Sequence, residues 1–372
     1  MDNKTVKKTH HEPLITLAKR DDLAGWKAWL IRLATIVASL LAVGVISMLL
    51  TGENFFEIYN KMFLGTFGRI FEGRLSMLWK FLQDTSILLC LALAVTPAFK
   101  MKFWNCGAEG QALAGGLSAM ICMMHLGGKM PEFLLIPIVI LASILAGAVW
   151  GLIPAIFKAQ YGTNETLFTL MMNYVITQIV SFYVGMSSGG SQVIQPVLTG
   201  ALPVIGGQRY LLNILIVAVL TVVMFIYLRF SKQGYEIAVV GESQNTARYI
   251  GINVKKVMLR TMIISGAICG VAGMLLVAGT DHSINTHTIG GQGFTAIMIS
   301  WLGQFNPFIM ALMSGLLTFL TSGAAKVADS FFLNSSYADI VAGIVILALV
   351  GCEFLVRYTV KFRHSKKGEK AV

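Results

Sequence analysis

Long apolar runs separated by short polar stretches recur along the whole chain. The hydrocarbon core of a bilayer is about 30 Å thick, so a crossing helix needs about 20 mostly apolar residues. Nine stretches meet that demand: 29–50, 79–99, 107–126, 133–155, 166–187, 210–230, 260–280, 306–323 and 338–358. Each is predicted as a spanning helix, because a helix satisfies its own backbone N–H and C=O groups in lipid. A tenth stretch, 290–305, is apolar but short, reaching only about 24 Å at 1.5 Å per residue. It begins with Gly290, Gly291 and Gly293. Short or broken helices of this kind line cavities in transporters. Within 51–76, Phe55, Tyr59, Met62 and Phe63 recur at helical spacing. That spacing fits an interfacial helix on the outer surface, and a plain loop fits equally well.

Charge orders these stretches in the membrane. The 372 residues are 56% hydrophobic and 13% charged, with a net charge of +11, against about 25% charged residues in a soluble domain. Mean hydropathy is +0.72. The basic residues flank apolar runs: Lys4, Lys7, Lys8, Lys19, Arg20 and Lys27 at the start, and Arg357, Lys361, Arg363, Lys366, Lys367 and Lys370 at the end. Such flanking reads as orientation by the positive-inside rule, not as nucleic-acid binding. Both termini are therefore expected in the cytoplasm, which requires an even number of crossings. Nine spans fail and ten succeed, so 290–305 is expected to complete an all-α, polytopic bundle of about ten spans. Residues 1–28 form a cytoplasmic tail, 29–358 the transmembrane domain with a cytoplasmic loop at 231–259, and 359–372 a basic cytoplasmic tail. The polar, basic start carries no cleavable signal pattern.

Several chemistries are not encoded. The cysteines Cys90, Cys106, Cys122, Cys269 and Cys352 form no CxxC and are odd in number, so neither a disulfide framework nor a metal site is expected. The Gly-Lys at Gly128-Lys129 is followed by Met130, so no phosphate loop for ATP is present. No HExxH, GxSxG or kinase set appears. Small residues four apart, Gly147/Gly151, Gly266/Gly270 and Ala112/Gly116, predict close helix–helix contacts.

Three segments concentrate polar chemistry. Asn105-Cys106-Gly107-Ala108-Glu109-Gly110-Gln111 lies at the cytoplasmic entrance to the third span. Asn105 is placed to cap that helix, and Glu109 sits favourably in its first turn. Alternatively, Glu109 and Gln111 join a hydrogen-bond network on a transport path. The loop 231–259 carries Gly234, Gly241, Glu242, Ala247, Arg248 and Gly251. Gly241 and Gly251 are expected to bracket a short helix, with Ala247, Tyr249 and Ile250 as its apolar face and Gly251 in a left-handed C-terminal position. Such a helix suits docking into a partner's groove, and a solvated connector is the alternative. Gly293 to Trp301, Gln304, Asn306 and Pro307 mark a break between two helices, read as pore lining or simple capping. Thr169, Asn173 and Gln178 lie inside the fifth span, in a charge-free stretch 166–208. They suit a neutral polar solute or interhelical bonding. Glu109, Gln111, Asn173 and Gln304 are expected to face the bundle interior.

At these segments the chain resembles the permeases of ABC importers for ribose-type sugars, branched-chain amino acids and nucleosides, with the nearest likeness to the nucleoside and simple-sugar branch. Asn105, Gly107, Glu109, Gly110 and Gln111 match its Asn-x-Gly-x-Glu-Gly-Gln segment. Asn164, Glu165, Met172, Asn173 and Tyr174 match a second, and Gly234, Gly241, Ala247, Gly251 and Ile252 match its cytoplasmic loop. Ser265-Gly266-Ala267 and Ala272-Gly273 follow the same pattern. The chain departs at Gly241-Glu242-Ser243, where Gly-x-Asn is usual, and at Cys106, where an apolar residue is usual. The resemblance implies a multi-pass protein of a bacterial plasma membrane that is not itself an enzyme. It implies pairing with a second permease subunit, ATP and Mg in two separate ATPase subunits, and an extracytoplasmic solute-binding protein. No cofactor is expected on this chain. Asn105, Glu109, Gln111, Thr169, Asn173, Gln178, Trp301 and Gln304 are then the expected substrate path, and the loop residues the ATPase coupling site. An ion-coupled transporter would need an intramembrane charge relay, and a membrane enzyme a clustered catalytic set; the chain offers little of either.

Overall fold

A computed structural model describes residues 15–19, 25–68, 75–334 and 336–362. The basic residues Lys4, Lys7, Lys8, Arg20, Arg363, Lys366, Lys367 and Lys370 lie outside them. The helices are α1 (Gly25–Thr51), α2 (Phe55–Phe67), α3 (Ser76–Lys100), α4 (Ala108–Leu126), α5 (Glu132–Tyr161), α6 (Glu165–Ser187), α7 (Leu211–Phe230), α8 (Lys232–Glu242), α9 (Gln244–Tyr249), α10 (Val254–Leu276), α11 (Gln292–Leu302), α12 (Pro307–Ser330) and α13 (Ser336–Arg357). A π-helical turn, Val277–Asp281, extends α10. Two short strands, β1 (Ile15–Lys19) and β2 (Tyr358–Phe362), flank the helical chain. Among the described residues, eight helices are long and apolar enough to cross a bilayer: α1, α3, α5, α6, α7, α10 with its π turn, α12 and α13. The fold is thus an all-α polytopic membrane bundle.

The chain divides into two compact units. In the first, α1 and α13 are joined by an ion pair between Arg32 and Glu353 at 3.0 Å. An apolar helix keeps two such charges only when they neutralise one another. β1 and β2 pair antiparallel, with Ile15 opposite Phe362 and Lys19 opposite Tyr358. The start of α1 and the end of α13 therefore share one side of the membrane, which makes the number of crossings even.

The second unit runs from Tyr59 to Ala338. Its centre is α3 and α10, most of whose side chains are buried, whereas α5, α6 and α7 each expose an apolar face. The predicted small-residue contacts are present. Gly147 packs on the Gly266 carbonyl, Gly270 on that of Ser143, and Gly273 on that of Ala112. A Cβ at any of them would collide with backbone, so α10 meets α4 and α5 through glycine. Of the two readings left open for 51–76, a helix is present, α2. Its Met62 lies against Gly323, and Thr66 Oγ1 donates to the Phe319 carbonyl at 3.2 Å, so it packs onto α12.

Two spans differ from the apolar pattern. The predicted stretch 107–126 is α4, 19 residues long and outside the set selected by apolarity. Its Ala, Gly and Gln residues are buried by α5, α6 and α10, so protein rather than lipid solvates it. The 290–305 stretch is not a full span. α11 has 11 residues, about 16 Å at 1.5 Å each, roughly half the hydrocarbon thickness. Residues 282–291 are not helical, and they lead from the end of the α10 extension to Gly291 beside Glu109. The tenth crossing is therefore half non-helical chain and half helix.

Candidate functional site

The segment 105–111 lies inside the bundle, not at its rim. Asn105 is fully buried, and its Nδ2 donates to Ser265 Oγ at 3.1 Å. Ser265 stands about 16 Å along α10 from Val254. Asn105 does not take the N-cap position of α4, which Gly107 occupies. Its Oδ1 instead accepts from the Gly107 N–H and from Gln111 Nε2, each at 3.1 Å, while its Nδ2 also donates to Gln111 Oε1 at 3.2 Å.

The depth of this helix start explains the amides around it. The first N–H groups of a helix have no partner within it, and water cannot supply one in the protein interior. Side chains do so here. The Cys106 N–H donates to Thr169 Oγ1 at 3.1 Å, and the Gly110 N–H donates to Asn173 Oδ1 at 2.9 Å. Asn173 Nδ2 in turn donates to the Cys106 carbonyl at 2.9 Å. Thr169 and Asn173 thus clamp α6 to the start of α4, the interhelical use that the sequence left open. Gly110 has no room for a Cβ, which would meet Asn173 Oδ1 at 2.6 Å.

Glu109 ties the broken helix to the same point. Its Oε1 accepts from the Gly291 N–H and its Oε2 from the Gly293 N–H, both at 2.8 Å. A carboxylate at a helix N-terminus meets unpaired donors and the positive end of the helix dipole. Gly290 and Gly291 take left-handed φ of +63° and +79°, and a Cβ on Gly293 would strike Glu109. Those three requirements account for the glycine cluster. Further along α11, Ser300 Oγ lies 2.9 Å from Thr96 Oγ1, and Trp301 stacks on Trp104 at 5.7 Å. Asn306 caps α12, its Oδ1 accepting from the Phe308 N–H at 3.1 Å.

Asn105, Glu109, Gln111, Thr169 and Asn173 therefore form one cluster. Gln178 and Gln304 do not join it; both are exposed on this chain, on α6 and in the α11–α12 turn. Ser265 was named in the sequence only within Ser265-Gly266-Ala267, and Thr96 and Ser300 were not singled out. Neither was a second cluster, in which Asn213 Nδ2 donates to the Leu275 carbonyl at 3.2 Å, Gln83 Nε2 to Thr280 Oγ1 at 2.7 Å, and Arg209 to the Thr280 carbonyl at 2.8 Å. The bonds from Asn213 and Arg209 serve carbonyls at the π turn, and the Gln83 bond holds the Thr280 hydroxyl. Polar residues within apolar helices were the available signal.

Beyond the far end of α6 is a cavity of about 530 Å³, lined in part by Ser181, Ser191, Gln192, Asn285, Thr286 and His287. Among the described residues, no Asp, Glu, Lys or Arg lines it. Gln178 is one helical turn before Ser181 on α6.

The 231–259 loop holds two helices, with boundaries other than those expected. Gly241 lies inside α8, pressed on the Lys100 carbonyl, and Ser243 divides α8 from α9 by accepting from the Thr246 N–H at 3.2 Å. Gly251 has the expected left-handed φ, +86°. Ala247 is fully buried with Ala98, Phe103, Ile237, Val257 and Met262, so it anchors α9 to this chain's own core. The outward face is Arg248, Tyr249 and Ile250, with Glu242 also exposed. Gly234 is buried against α7 carbonyls. Arg260 of α10 bonds Glu236 of α8 at 2.9 Å, tying the loop to the helix that carries Ser265.

A membrane bundle with a discontinuous helix, an interior amide cluster and paired helices on a basic loop defines a transport permease. Residues 77–350 match the family described as branched-chain amino acid transport system / permease component, and the chain belongs to that family. The chain is similar to the guanosine ABC transporter permease protein NupP of Bacillus subtilis (strain 168), 28% identical over 88% of this chain and 94% of that protein. It is 27% identical to a glucose ABC transporter permease protein of Haloferax volcanii, over 96% of each. The nucleoside ABC transporter permease protein NupB of Lactococcus lactis is 27% identical over 92% of this chain and 98% of its own length. The protein is a membrane-spanning permease subunit of an ABC transporter.

Proposed function

We propose that this permease belongs to an importer for a neutral, hydroxyl-rich solute, a nucleoside or simple sugar, in a bacterial plasma membrane. The observation that carries the solute class is the 530 Å³ cavity, polar throughout much of its lining yet free of Asp, Glu, Lys and Arg. The relatives named for guanosine, nucleosides and glucose support the same class. A neutral solute needs hydrogen-bond donors and acceptors without a countercharge, which Gln192, Asn285 and the serines supply. Gln178 continues that surface along α6, and the path passes from there toward Trp301 and Gln304. The buried cluster of Asn105, Glu109, Gln111, Thr169 and Asn173 forms its rigid wall.

Energy enters at the basic end, which is cytoplasmic by the positive-inside rule. ATP and Mg belong to two ATPase subunits, which dock on Arg248, Tyr249 and Ile250. A second permease, the same or related, and an extracytoplasmic binding protein complete the complex. The test is uptake by the complex reconstituted in vesicles, with labelled guanosine, glucose and leucine supplied to its binding protein. ATP-dependent accumulation of guanosine or glucose, lost in Gln192→Ala/Asn285→Ala, is the expected result. Accumulation of leucine alone would overturn the solute class.

A further inference from the structure

We infer that a second cavity, at the basic end of α7, binds the phosphodiester headgroup of an anionic phospholipid. The cavity measures about 370 Å³ and is lined in part by Lys100, Phe225, Arg229, Tyr235, Phe305 and Asn306, with no Asp or Glu in its wall. Lys100 Nζ donates to the Leu228 carbonyl at 3.2 Å. An ammonium has three donors, so two remain for an oxyanion. The Arg229 guanidinium lies 5.8 Å from the Phe225 ring centre, and its planar fork matches a phosphate. The ion pairs Lys158–Glu165 and Arg260–Glu236 leave both cations out, and neither has a carboxylate partner among the described residues. Two cations in one cavity repel each other until an anion enters.

Position selects the lipid over other anions. Lys100 and Arg229 end α3 and α7, the depth at which spanning helices meet headgroups. Trp104, Trp301 and Tyr235 stand at the same end, as aromatic residues do at membrane interfaces. From the cavity, apolar side chains run into the membrane span: Ile226 on α7 and Phe308 and Leu312 on α12 are each more than half exposed. Phe225 and Phe308 bring the two helices together, their rings 5.1 Å apart. A phosphodiester in the cavity would thus lay its acyl chains on the exposed strip, whereas a free phosphate or a soluble protein would leave that strip uncovered. Basic pockets between helices on the cytoplasmic side hold anionic headgroups in this way. The inference rests on the membrane fold and not on the identity of the solute.

The test uses the full-length chain, purified and delipidated in detergent. Thermal unfolding is followed while dioleoylphosphatidylglycerol, dioleoylphosphatidylcholine or glycerol 3-phosphate is added. Phosphatidylglycerol should raise the midpoint saturably, and phosphatidylcholine and glycerol 3-phosphate should not. Arg229→Gln, a change at an exposed side chain, should weaken the apparent affinity about tenfold, since a charge-assisted bond contributes at least 1.4 kcal/mol. Lys100→Gln/Arg229→Gln should weaken it further, and Lys100→Arg/Arg229→Lys should retain binding. Lys255→Gln/Lys256→Gln, which removes two cytoplasmic lysines outside the cavity, is the control. Equal loss in the control would mean general surface charge and overturn the site. Stabilisation by glycerol 3-phosphate equal to that by lipid would make it a free-phosphate site and overturn the lipid. Unchanged lipid response in Arg229→Gln and the double variant, with loss of the co-purified ATPase, would make it a protein contact and equally overturn it.

Discussion

Glu109→Ala should release the N-terminus of α11 from α4. The change removes two N–H···O bonds of 2.8 Å from a carboxylate. Bonds to a charged group contribute about 1.5–3 kcal/mol each, which sums to about 3–6 kcal/mol. The Gly291 bond is exposed, so water recovers part of it and about 2–4 kcal/mol remains. At 1.4 kcal/mol per tenfold, local opening at 290–293 becomes about thirty- to several-hundred-fold more frequent. Amide hydrogen exchange of a peptide covering these residues reads that opening directly. Glu109→Gln keeps the shape but offers a single acceptor oxygen and turns an NH2 toward the other amide, so it should lose at least half of the protection. Glu132→Ala, in the first turn of α5, should leave the peptide unchanged. If Glu109→Ala exchanges at 290–293 like the wild type, the carboxylate does not hold the broken helix.

Three further changes test the interior cluster and the loop. Asn105→Leu leaves Gln111, Ser265 and the Gly107 N–H without their partners, so thermal unfolding in detergent should show a loss of about 2–4 kcal/mol; an unchanged midpoint would mean that water or other groups satisfy them. Ala247→Asp places a charge in the apolar cluster beside Ile237 and Met262 and should destabilise the chain by about 3 kcal/mol or more. Tyr249→Ser changes a side chain that is 91% exposed, so it should leave folding within about 0.5 kcal/mol and reduce co-purification of the ATPase. Full assembly in Tyr249→Ser would remove that residue from the docking face.

The class of fold is legible from the chain alone. Apolar length against bilayer thickness is a local property, so the run at each long span, such as Leu211–Phe230, predicts its helix without reference to any other. The basic clusters at both ends determined the parity, and the pairing of β1 with β2 agrees with it. Small residues four apart on α5 and α10 were enough to predict close helix–helix contacts, because only glycine lets two backbones approach so nearly; which helices meet came from the packing. Left-handed Gly251 was legible for the same local reason.

Only the tertiary structure decided what the polar residues do. Asn105 and Asn173 look alike in the sequence as amides near apolar runs. Their roles depend on a helix that starts deep in the protein, where its orphan N–H groups must find side chains. Ala247 looked like part of an outward face because a six-residue helix has too few turns to display its buried side. Gly241 looked like a boundary, since local spacing cannot reveal the Lys100 carbonyl that forbids it a Cβ. The half-helical crossing at 282–302 likewise follows from Glu109, a residue distant in sequence, whose carboxylate supplies the acceptors that let a helix begin inside the bundle. Burial in lipid is dictated residue by residue, whereas hydrogen-bond satisfaction inside a bundle depends on which distant groups the fold brings within 3 Å.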